Sequence, residues 1–219
     1  METYQRRSPV SFTGQVEEKE WQKAWNVVLR YHDEGTGPFL IDLSHRSKWD
    51  IQDANLSAIQ PLGLSIPETP GQCVFRDGLL ISRMNLTQAA AWHLVGEHAE
   101  MPDEFAYTDI SDACALLSLI GKEVFFIMEK VCALDISSPG KERPFLIQGP
   151  VLGVPSQIVV LGEKDGCAGL LIACPRPCAQ SVVKAILEAG VEWSVLPTGE
   201  NAFCKWVGEI SSHGGTAYL

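Results

Sequence analysis

Residues 16–33, VEEKEWQKAWNVVLRYHD, place Trp21, Trp25, Val28, Leu29 and His32 at i, i+4, i+7, i+8 and i+11, with charged residues between them. That spacing predicts one apolar stripe of a helix. Gly35-Thr-Gly-Pro38 ends it. Phe39–Asp42 is a short apolar run read as a strand, and Lys48–Ile51 continues the sheet after a turn. Asn55–Leu62 reads as a short helix, punctuated by Pro67 and Pro70-Gly71. Two apolar runs follow, VFRDGLLISRM and AAAWHLVG, separated by Asn85-Leu-Thr-Gln88. They predict a hairpin, although alanine is a poor strand former and AAAWHL also suits a helix.

The second half repeats the order. Asp109–Ile120 is strand-like, Gly121-Lys122 turns, and Glu123–Cys132 sets Val124, Ile127, Met128 and Val131 on one helical face. After the break SSPGKERP come VLGVPSQIVVLG and CAGLLIACP, divided by Glu163-Lys-Asp-Gly166, again a hairpin pattern. Pro177 fits the first turn of a helix whose Val182, Ala185, Ile186 and Ala189 share a face, and Gly190 stops it. Both halves open on Asp-(Leu/Ile)-Ser, at Asp42 and Asp109. The recurrence suggests an internal duplication, two α+β units packed about a pseudo-twofold axis. Two unrelated strand-helix-hairpin units would give the same order. The expected fold is α+β, one domain over residues 1–219, with module one at about 37–100 and module two at about 105–192.

Charge narrows the function classes. With 17 Lys plus Arg against 27 Asp plus Glu, the formal charge of -10 repels nucleic-acid phosphates and anionic lipid, and no basic patch interrupts it. No window approaches the ~18 apolar residues of a membrane span, and Arg6-Arg7 precede no signal-peptide core. Seven cysteines, an odd number, sit mostly in apolar runs, as expected of thiols in a reducing cytoplasm. Cys174-Pro-Arg-Pro-Cys178 lacks the second ligand pair of a metal site. There is no P-loop, G-x-G-x-x-G or Ser/His/Asp order.

The stretch IDLSHRSKWDI, residues 41–51, resembles the "DLSHxGK" opening of the glycine-cleavage T protein, a tetrahydrofolate-dependent aminomethyltransferase. FRDGLLISR, residues 75–83, is similar to that family's "IDDLIVTR". YTDISDACALLSLIGKEVFFIMEKV resembles its "DVSDxxALLALQGPxAxxxL", and LGEKDGCAGLLIACP is a one-residue-longer version of its "YTGEDGFELYVP". The pieces keep the family's order over roughly residues 39–190. The resemblance implies a folate-binding fold without the T protein's C-terminal β-barrel domain, with tetrahydrofolate as cofactor in a central hollow between the two units shaped for a flat heterocycle. The small gamma subunit of heterotetrameric sarcosine oxidase, a non-catalytic relative, fits the chain's size. It implies the alternative of a subunit partnered with other chains of an amine-oxidising complex.

The resemblance also assigns residues. The family's working acid falls on Gly78, with Asp77 beside it as the candidate catalytic carboxylate, which would stabilise positive charge on an iminium-like one-carbon unit. Glu163, with Asp165 as a second candidate, stands where an acid would grip the pterin, and Arg83 where a cation would anchor the glutamyl tail. If catalytic, the reaction would carry a one-carbon unit from an aminomethyl donor to tetrahydrofolate. Read without the family, Arg76-Asp77-Gly78 is a turn, Glu163–Gly166 a polar hairpin tip and Arg83 a surface strand residue. His45, after the first Asp-Leu-Ser, is read as a hydrogen-bonded structural residue or a general base. Trp21 and Trp25 are expected in the core or at a subunit interface.

Overall fold

The computed structural model describes residues 4–138 and 140–211; the Gly214-Gly215 tail lies outside them. Residues 16–33 are not a helix. They form a β-hairpin of β1 (Val16–Gln22) and β2 (Trp25–Tyr31), turning at Lys23, whose φ is 53°. In β2, Trp25, Val27 and Tyr31 are buried while Asn26 and Arg30 are exposed, an alternation that only an extended chain makes. Trp21 is 57% exposed and Trp25 3%, so the two rings do not share the one face that a helix would give them. β-branched Val27-Val28 add to the strand preference.

From there the chain runs through β3 (Phe39–Asp42) and β4 (Lys48–Gln52), as the apolar pattern predicts. Asn55–Leu62 becomes two 3-10 turns, Leu56–Ala58 and Pro61–Gly63. VFRDGLLISRM is itself a hairpin, β5 (Cys73–Arg76) and β6 (Leu79–Arg83), and β7 (Gln88–His93) is a strand despite its alanines. The strand expected over Asp109–Ile120 splits into β8 (Tyr107–Asp109) and β9 (Cys114–Gly121). Next come α1 (Val124–Glu129), β10 (Phe145–Val151), β11 (Val154–Lys164), β12 (Cys167–Pro175) and α2 (Ala179–Ala189). The chain then forms β13 (Leu196–Thr198) and α3 (Glu200–Ser211). Among the described residues no helix is long and apolar enough to cross a membrane.

Two sheets carry the architecture, with strand orders β5-β6-β7-β4-β8 and β10-β11-β12-β9-β3-β13. Apart from the added β13, which pairs parallel to β3, the orders correspond strand for strand. Each half contributes its opening strand to the other half's sheet: β3 pairs with β9, and β8 with β4.

Strand periodicity sorts the core into layers. Along β9, Leu117 and Leu119 face α1 and α2, joining Val124, Ile127, Val182 and Ile186. Leu116 and Ile120 face the second sheet, where they join Leu80, Trp92, Val159, Leu171 and, from α3, Phe203 and Trp206. Where an open hollow is expected between the halves, these side chains meet. The outer face of the smaller sheet is closed by Leu56, Leu64 and Ile66 against Trp49 and Ile81.

Candidate functional site

The loop joining β3 to β4 is fixed before its side chains are placed. Asp42 Oδ1 accepts the Ser44 N–H at 2.9 Å, a turn in which a carboxylate replaces a backbone carbonyl. Lys48, fully buried, donates from Nζ to the carbonyls of Ser44 and Arg46 at 2.9 and 2.8 Å. Burial lowers its pKa to about 8, partly opposed by nearby Cys114, Asp42 and Asp109.

This loop presents His45 and Arg46 to Glu200, the first residue of α3. His45 Nε2 lies 3.0 Å from Glu200 Oε1, and Arg46 Nε donates to the same oxygen at 2.6 Å. The Arg46 NH2 group pairs with that oxygen too, and NH1 donates to Gly96 O at 2.8 Å. The other carboxylate oxygen accepts Gln22 Nε2 at 3.0 Å. Glu200 is 2% exposed. Burial alone would raise its pKa, but the hydrogen bonds and charges of His45 and Arg46 outweigh that and hold it at about 2.

Gly199 lets the hairpin approach, since a Cβ there would meet the Leu29 backbone at 2.2 Å. His98 packs edge-on to His45 with ring centroids 5.8 Å apart, and burial, then His45 and Arg46, push its pKa down to about 4. Beside this cluster lies a cavity of about 130 Å³ whose walls include Ser8, Trp25, Tyr31, Asp42, His45 and Thr198.

The residues singled out by the family resemblance lie elsewhere. Asp77 is exposed in the β5–β6 turn, with φ 52° followed by Gly78 at 79°. A Cβ at Gly78 would sit 2.4 Å from Val95 O. Arg83, at the far end of β6, is ~20 Å of strand away from Asp77. It is 9% exposed and donates to Asn85 O at 2.6 Å and Leu86 O at 2.5 Å, holding the next turn together. Glu163 and Asp165 belong to the other sheet. Glu163 is ion-paired to Arg143, and Asp165, with φ 52°, turns β11 into β12 beside Gly166. None of the four is among the residues lining the 130 Å³ cavity.

Glu200 and Gln22 are the members of the buried cluster that sequence reading does not reach. The available signal is local: Thr198-Gly199-Glu200 precedes Phe203, Trp206 and Val207, an acid in the first turn of an amphipathic helix.

No family model matches the chain. An aminomethyltransferase of Geobacillus thermodenitrificans (strain NG80-2) is 31% identical over 125 residues, 57% of this chain. The match spans 32% of that relative's length. A chain of the heterotetrameric sarcosine oxidase from Corynebacterium sp. U-96, in complex with pyrrole 2-carboxylate, shares the fold with a TM-score of 0.60 at 15% identity. The superposition covers 74% of this chain and 90% of that one. The sequence match and the shared fold relate this chain to the superfamily of the T-protein aminomethyltransferases and sarcosine oxidase.

Proposed function

We propose that the chain is a non-catalytic, gamma-type subunit of an amine-oxidising complex, built on a T-protein-like fold of two duplicated modules. One observation carries the reading: every group that the family resemblance assigns to tetrahydrofolate is committed elsewhere or set apart. Arg83 is spent on turn carbonyls, Glu163 on Arg143, and Asp77 sits in an exposed turn. The apolar contacts of Trp92 and Phe203 occupy the meeting faces of the sheets. The 130 Å³ cavity is smaller than the ~300 Å³ at which ordinary small-molecule pockets begin. The residues present do not fit a folate.

Three further observations support the proposal. The matched sarcosine oxidase chain is covered almost end to end. The corresponding strand orders favour duplication over two unrelated units. The free cysteines suit a reducing cytoplasm.

Purifying the chain from its native cells tests the proposal. The expected result is a stoichiometric complex with a flavin-bearing partner; a clean monomer overturns it. Titration with tetrahydrofolate, followed by tryptophan fluorescence, is expected to be flat. Saturable binding weakened by Glu163→Ala would restore the folate-binding reading.

A further inference from the structure

The cavity beside the buried cluster has a chemistry of its own. Its walls combine apolar Phe12, Trp25, Tyr31 and Val28 with polar groups that include the Asp42 carboxylate. Asp42 accepts from Ser8 Oγ and from the Ser44 N–H, both neutral donors. Among the described residues no lysine or arginine forms an ion pair with it. Lys48 feels the Asp42 charge but gives its hydrogen bonds to two carbonyls, and Arg6 pairs with Asp112 at 3.2 Å. Arg6 and Arg176 lie 5.9 and 5.7 Å from the Trp25 ring centroid, and Asp42 is the acid among the lining residues. A carboxylate without an ion-pair partner in a partly apolar recess stabilises a cation that brings its own apolar surface. At about 130 Å³ the recess approaches the ~150 Å³ cavity known to accept benzene, so it holds a small organic cation and excludes a large one.

We infer that this cavity binds a small alkylammonium ion, with Asp42 as counterion and Phe12, Tyr31 and Val28 enclosing the alkyl groups. The cavity is formed by residues of this chain alone, so the inference does not rest on the subunit reading.

Trimethylammonium chloride and its neutral isostere tert-butanol are the probes, titrated calorimetrically into the purified full chain. The expected result is saturable, millimolar binding of the cation and at least tenfold weaker binding of the alcohol. Asp42→Asn retains Oδ1 as acceptor for Ser44 but removes the charge, and should weaken the cation at least tenfold. If that variant unfolds at a lower temperature, Val28→Phe, which fills the cavity from its half-buried wall, decides instead and should abolish binding. Absence of saturable binding to the parent chain, or equal affinity for both probes, overturns the proposal. So does cation binding unchanged in both variants. None of these results depends on which proteins co-purify with the chain, so failure here is separable from failure of the subunit reading.

Discussion

Ser44 and Ser111 each lend a hydroxyl to the strand that follows the other. Ser44 Oγ accepts the N–H of Leu116 in β9 at 3.2 Å, and Ser111 Oγ accepts the N–H of Lys48 in β4 at 3.0 Å. The residue before each serine makes the matching backbone bond: Leu43 N to Leu116 O at 2.8 Å, and Ile110 N to Lys48 O at 2.9 Å. Asp109 Oδ1 also accepts the Ser111 N–H at 2.9 Å, as Asp42 does for Ser44. The two Asp-x-Ser turns are thus reciprocal clasps between the halves. Each serine is buried, so its loss strands a backbone donor away from water. Ser44→Ala and Ser111→Ala should each lower stability by about 1–3 kcal/mol. Because both clasps engage Lys48, whose Nζ donates to Ser44 O and whose N–H donates to Ser111 Oγ, the double variant should depart from the sum of the singles by more than ~0.5 kcal/mol. Urea unfolding of the two single variants and the double variant measures this.

Glu200 is the counterion of a buried arginine, so neutralising it leaves Arg46 without compensation. Glu200→Gln should cost about 3–5 kcal/mol. The same interaction sets an acid limb. The folded pKa, about 2, lies below the ordinary glutamate value of 4.5, so the contribution is fully present above about pH 4.5 and is lost as pH falls toward 2. It amounts to about 3 kcal/mol. Stability measured against pH should fall over that window in the parent chain, and the difference between parent and Glu200→Gln should shrink with it. A pH-independent difference would contradict the linkage.

Local signals and distant ones fared differently. β3, β4, α1 and α2 are legible because each has its own periodicity or punctuation: Gly121-Lys122 before α1, and Pro177 and Gly190 around α2. The β1–β2 hairpin is not, because its Lys23-Ala24 turn lacks Gly, Asn or Asp, and the i, i+4 spacing of Trp21 and Trp25 imitates a helix. The Asp77-Gly78 turn carries the strongest short hairpin signal, yet the family match assigns the same two residues to chemistry. The His45–Glu200 pair spans 155 residues, so no spacing rule reaches it. The clasps fall between these cases: the repeated Asp-x-Ser is visible, but the exchange of β3 and β8 between sheets is a tertiary fact.

Lys48 should give an alkaline limb of opposite sense. Its pKa falls from 10.5 to about 8 on folding, so between those values the unfolded chain binds more protons than the folded one. Stability should therefore rise with pH across that window, by about 3 kcal/mol from this group. Buried thiols act against it: burial raises the pKa of Cys73 to about 12 and of Cys174 to about 11, so the folded chain keeps protons that unfolded thiols lose. The Lys48 contribution is isolated by subtraction. The stability of the parent chain minus that of Lys48→Met should climb between about pH 8 and 10.5, and a flat difference would refute the buried ammonium.

The β5–β6 turn separates a catalytic Asp77 from a conformational one. Asp77 stands at φ 52° and Gly78 at φ 79°, and both positions tolerate glycine. Asp77→Gly should therefore change stability by no more than about 1 kcal/mol. Gly78→Ala meets Val95 O at 2.4 Å and a left-handed backbone together, so it should cost about 1–3 kcal/mol by strain. Thermal unfolding of the two variants gives the ranking. If Asp77→Gly abolishes an aminomethyl transfer that the parent chain performs, Asp77 is a working carboxylate and the turn is only its support.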